Sequence, residues 1–162
     1  MPRGLTKKTV ESAALWLEAA TTDPYKVATL QKVAKNLGIP RSQTLVVLKK
    51  FPEIRRFYVK VGDRHAILIH VDVYNELKEA LRGLISYLKR QYVGRTVVYK
   101  PSYVTSVVGV KTPCLVLVRH ILVHEFGGLE RDGYVYFDKS QIQEVDGYTS
   151  YLKLSRLLNQ IC

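Results

Sequence analysis

Between Leu30 and Phe51 the apolar residues keep a helical spacing that is broken once, at Gly38-Ile39-Pro40, and that single break fixes the local path of the chain. Leu30, Val33 and Leu37 recur at three- and four-residue intervals and so share one helix face. Gly38 stands where a helix C-terminus favours a residue at ease with positive φ. Pro40 suits the start of a new helix, and Ser42 and Thr44 lie close enough to offer hydroxyls to its unpaired first-turn amides. This second helix is expected to run to Phe51 and to be stopped by Pro52. Arg56–Val61 and His65–Val71 are rich in β-branched and aromatic residues and flank Gly62-Asp63, a pattern that predicts a basic β-hairpin.

Helix, tight turn, helix and basic hairpin, carried by Val33, Leu37, Gly38, Ile39, Leu48 and Phe51 and by the strands around Gly62-Asp63, resemble the winged helix-turn-helix superfamily of DNA-binding domains. The resemblance covers roughly the first half of the chain. It implies an α+β fold whose second helix enters the major groove of double-stranded DNA while the hairpin touches phosphates or the minor groove. On that reading Arg41, Ser42 and Gln43 sit at the start of the groove helix, where Arg suits guanine edges and Gln suits adenine edges, and Lys49 and Lys50 approach phosphate. Arg55, Arg56, Lys60 and Arg64 form a positive group in the hairpin, which Lys32 and Lys35 on the preceding helix extend. One feature departs from the pattern. If Thr44, Leu48 and Phe51 face the core, Leu45 and Val46 lie towards the outside, where a base-reading helix usually offers polar groups.

Charge points to the same partner. Lys and Arg number 25 against 14 Asp and Glu, a formal net charge of +11 and a pI of about 9.7, so the molecule attracts polyanions at long range. The 162 residues, 47% of them hydrophobic, suffice for one medium or two small domains with a real core. Nothing approaches a continuous apolar run of about 18 residues, and MPRGLTKK leads into a helix bearing Glu11 and Glu18 rather than a signal-peptide core. The expected setting is therefore intracellular, cytoplasmic or nucleoid-associated, with no membrane partner. Cys114 and Cys162 are too few for a disulfide framework and lack zinc-site spacing. Scarce Cys and Met beside abundant Lys, Arg, Val and Tyr lean towards a thermophilic source.

Helical periodicity also marks Thr6–Ala20, Val73–Tyr92 and Tyr148–Ile161. Val104–Val110 can be laid over Val33–Ile39 without a gap at an offset of 71 residues, and a helix from Thr112 to Phe126 and a strand at Tyr134–Phe137 follow. Two explanations stand level here: a second winged-helix unit, or two Gly-terminated helices that align over seven residues. The expected division is a winged-helix domain with its linking helix over 1–92 and a second winged-helix-like or assembly domain over 93–162. Leu152, Leu154, Leu157, Leu158 and Ile161 give the last helix an apolar face that either caps the core or, with the apolar helix around Leu115–Val118, supports a homodimer.

Catalysis finds no positive support. His120 and His124 stand four apart on one helix, but HILVHE is not the HExxH order and no third ligand is evident, so no metal or cofactor is expected. Glu76 and Lys78, with Asp72 upstream, have a nuclease-like spacing, yet they fall on a predicted helix where such sites use a strand. Asp132, Asp138 and Lys139 read as turn residues. Tyrosines beside cations, as at Arg56-Phe57-Tyr58, leave single-stranded nucleic acid as a minor alternative. The main expectation is a duplex-DNA-binding transcription regulator or chromatin-associated factor. Its competitor is a winged-helix protein-interaction subunit of a replication, transcription or repair complex.

Overall fold

The computed structural model describes residues 6–63, 66–108, 112–145 and 147–161, and the chain divides into two units, Met1–Tyr74 and Asn75–Cys162. In the first, helix α1 (Lys7–Thr22) leads to a two-residue strand β1 (Ala28–Thr29), helices α2 (Leu30–Leu37) and α3 (Arg41–Leu48), a short helix α4 (Pro52–Phe57) and strands β2 (Tyr58–Val61) and β3 (Ile67–His70). The strands form an antiparallel sheet in the order β1-β3-β2, with Thr29 opposite Ile67 and Val59 opposite Ile69. Thr6 caps α1 by accepting from the Thr9 amide at 3.1 Å, and Thr29 caps α2 by accepting from the Lys32 amide at 3.2 Å. Gly38 ends α2 at φ 68°, the left-handed conformation that its missing Cβ makes cheap. Ala13, Leu17, Val33, Leu37, Leu48 and Leu68 pack into one buried cluster, so α1, α2, α3 and β3 share a core.

Three local expectations need correction. Helix α3 ends at Leu48, and Pro52 opens α4 instead of stopping the preceding helix. The physical reason is position: Pro is well tolerated in a first turn, and Glu53 near the start with Arg55 and Arg56 near the end complements the dipole of α4. Arg55 and Arg56 therefore stand on a helix and not in the hairpin, whose first strand starts at Tyr58. Ser42 and Thr44 do not cap α3: its N-cap is Pro40 without a side-chain bond, and Thr44 Oγ1 donates back to the Pro40 carbonyl at 3.1 Å.

The second unit is built from helix α5 (Val71–Gln91), strand β4 (Thr96–Tyr99), helices α6 (Ser102–Val108) and α7 (Thr112–His124), strands β5 (Leu129–Arg131) and β6 (Tyr134–Asp138), and helix α8 (Gly147–Ile161). Its sheet runs β4-β6-β5, antiparallel throughout. Both units thus follow the order helix, strand, helix, helix, strand, strand, with the first strand beside the last, and the second adds α8. The 71-residue offset holds at core positions too, since Val33 and Val104, like Val47 and Val118, are buried. The glycine matching Gly38, Gly109, lies outside the described residues.

The division falls inside α5 and not after residue 92. Side chains of α5 explain it, because Arg82 donates to Gln143 Oε1 at 3.0 Å, Ser86 Oγ donates to the Val145 carbonyl at 3.1 Å and Lys89 donates to the Ile142 carbonyl at 3.1 Å. A helix read as closing the first domain serves as the opening helix of the second. The last helix changes role as well. Leu154, Leu157, Leu158 and Ile161 are buried within the chain, as are Leu117 and Val118, so the apolar face that motivates a homodimer is already covered; Leu152 lies among residues whose side chains are not described. Cys114 on α7 is buried and disulfide-bonded, and the other cysteine of the sequence, Cys162, lies outside the described residues.

Candidate nucleic-acid interface

The cationic surface of the first unit starts from a gap in the sequence. Between Val27 and Pro52 there are five Lys and Arg and no Asp or Glu. Folding places that stretch on α2, the Gly38 turn and α3, the two helices that pack against each other over Val33, Leu37, Val47 and Leu48. Lys32 and Lys35 are exposed on α2, where they line a shallow depression with Thr29 and Gln31. Arg41 and Ser42 are exposed at the start of α3, and Lys49 and Lys50 are exposed just past its end. Arg55 and Arg56 are exposed on α4, with the Arg56 guanidinium 5.2 Å from the Phe57 ring centre. Among the described residues none of these seven Lys and Arg makes an ion pair, whereas Lys26 lies 3.7 Å from Asp23 and Lys60 on β2 lies 3.8 Å from Asp63. An unpaired cation gives up no protein partner when phosphate arrives.

Two expected residues are less available. Arg64, with His65, lies outside the described residues. Gln43 is half-buried, and its Oε1 is buried without a hydrogen-bond partner, so the side chain is turned partly inwards. Leu45 is half-buried against the core, but Val46 remains 52% exposed. Behind the helices, Tyr58 sits 6.0 Å from Trp16 and 5.6 Å from His70 between ring centres; burial pushes its hydroxyl pKa up, and that hydroxyl has no partner. Sequence reasoning passed over Lys7 and Lys8, both exposed in the first turn of α1. Cations there oppose the helix dipole, and that mismatch of sign was the readable signal.

The corresponding helix of the second unit is different in kind. Helix α7 buries Cys114, Leu117, Val118, Ile121 and Leu122, and its one cation, Arg119, donates to Glu130 Oε1 on β5 at 3.2 Å. His120 and His124 lie with ring centres 4.3 Å apart, and burial, helped by His124, lowers the His120 pKa. Among the described residues no group of three metal-ligating side chains forms. Glu76 and Lys78 fall on α5, and Lys78 pairs with Glu125 at 3.6 Å. Asp138 caps a short 3-10 turn by accepting from the Ser140 amide and hydroxyl, which holds its carboxyl below the usual range, and Asp132 occupies the turn between β5 and β6 at φ 54°. Among the described residues no helix is long and apolar enough to cross a membrane. Comparison with protein-family models, with curated proteins and with solved structures gives no match for the chain.

Proposed function

We propose that the protein binds double-stranded DNA through its first unit, as a transcription regulator or chromatin-associated factor of the winged-helix type. The observation that carries this reading is the run of exposed, unpaired cations on α2, α3 and α4, drawn from a stretch whose helix-turn-helix part holds no carboxylate. The order of elements adds support, since a helix pair followed by a β2-β3 hairpin, with β1 closing the sheet, suits a helix laid in the major groove beside a phosphate-touching hairpin. The first unit also carries more of the charge: through Tyr74 there are thirteen Lys and Arg against six Asp and Glu, and beyond it twelve against eight.

Anisotropy of a labelled 20-base-pair duplex of arbitrary sequence, titrated between low and moderate KCl, tests the proposal. Affinity is expected to fall steeply with salt, and K49A/K50A to make the log–log slope shallower by about two, one for each lost phosphate contact. Absence of binding at low salt, or a slope unmoved by the double variant, overturns it. A second reading assigns the second unit to protein assembly, favoured by Leu129 and Tyr134, which are 61% and 40% exposed on its β5-β6 hairpin.

A further inference from the structure

Val46 is 52% exposed on a helix where the fold gives no reason for it. Thr44, Val47 and Leu48 turn inwards, and Ser42, Val46 and Lys49 follow one another at the spacing of a single outward face. A β-branched residue is a poor helix former at a solvent-facing position, and an apolar one gains nothing from water. Its neighbours on that side, Arg41, Lys49 and Lys50, are exposed and unpaired, and no carboxylate lies between Val27 and Pro52. Such a surface is complementary to a polyanion and poorly suited to an acid-free apolar partner.

Within a major groove an isopropyl group has one good counterpart. Guanine, adenine and cytosine present hydrogen-bonding edges there, while thymine adds a C5-methyl. We propose that Val46 reads A·T pairs through van der Waals contact with the thymine C5-methyl, with Lys49 and Lys50 holding the flanking phosphates. The inference rests on the duplex-binding reading above. It also assigns the sequence preference of α3 to a residue other than Gln43, whose side-chain oxygen is buried.

The test compares two 20-base-pair alternating A·T duplexes, one with thymine and one with deoxyuridine throughout, which keeps base pairing and removes only the methyl. The wild-type protein is expected to bind the thymine duplex about fourfold more tightly, the worth of roughly one buried methyl. V46S should bind both equally, and V46I should keep the ratio; circular dichroism of each variant shows that the fold is intact. Equal wild-type affinities, or a ratio that survives in V46S, overturn the thymine contact while duplex binding stands. Failure to bind either duplex at low salt overturns the duplex-binding reading itself and this inference with it.

Discussion

At Gly128 the fold leaves room for a hydrogen and nothing larger. A Cβ built there lies 2.4 Å from Val135 Cγ1 and 2.8 Å from Phe137 Cε1, and both neighbours are buried on β6. Neither can retreat without disturbing the core of the second unit. We expect G128A to destabilise that unit by about 1 to 3 kcal/mol, the usual cost of overpacking. A thermal midpoint equal to that of the wild type contradicts the account. Gly38 shows the other use of glycine: nothing lies within 4 Å of a Cβ there, and only its φ of 68° demands the residue. That demand was legible in the sequence because it ends a run of helical spacing. The demand at Gly128 was not, because it depends on a strand that begins several residues later. Gln43 and Val46 divide in the same way. Helical geometry put Val46 outside, as found, while the inward turn of Gln43 came from packing that no local pattern records.

Elements with a strong period were readable, and those without one were missed. The helices α1, α2, α5 and α8 have apolar positions three and four apart that match their buried residues, and their bounds came out within a few residues. Strand β1 has two residues, too short for any alternation, and all three residues of β5 are exposed, so neither has a pattern to find. Strand β4 did alternate, with Val97 and Tyr99 buried, and is a miss that the residues themselves could have prevented. Helix α4 was hidden by Pro52, since a proline reads equally as an end or as a beginning. Moving Arg55 and Arg56 from a hairpin to a helix changes what they are expected to do. As neighbours on a short helix rather than opposite ends of a flexible wing they should act together, and R55A/R56A is expected to make the salt slope of duplex binding shallower by about two. A slope identical to that of the wild type removes α4 from the interface.

For the whole molecule, the continuous run from His70 at the end of β3 into Val71 at the start of α5 decides where the chain can be cut. Leu77, Leu81 and Leu84 are buried on α5, and the polar groups of that helix bond to residues 142–145. A fragment of residues 71–162 is therefore expected to unfold cooperatively in urea, and a fragment of 93–162 to lack a cooperative transition. If the shorter fragment unfolds as cooperatively as the longer, α5 is dispensable and the boundary lies after it. The contact between Trp16 and Tyr58 bears on how such transitions are seen. Trp16 is the one tryptophan of the chain and belongs to the first unit, whereas eight of the eleven tyrosines lie beyond Tyr74. Indole emission thus reports the DNA-facing half alone, and tyrosine absorbance is weighted towards the other, so the native sequence already carries two optical labels at separate addresses and each half can be followed without adding a dye.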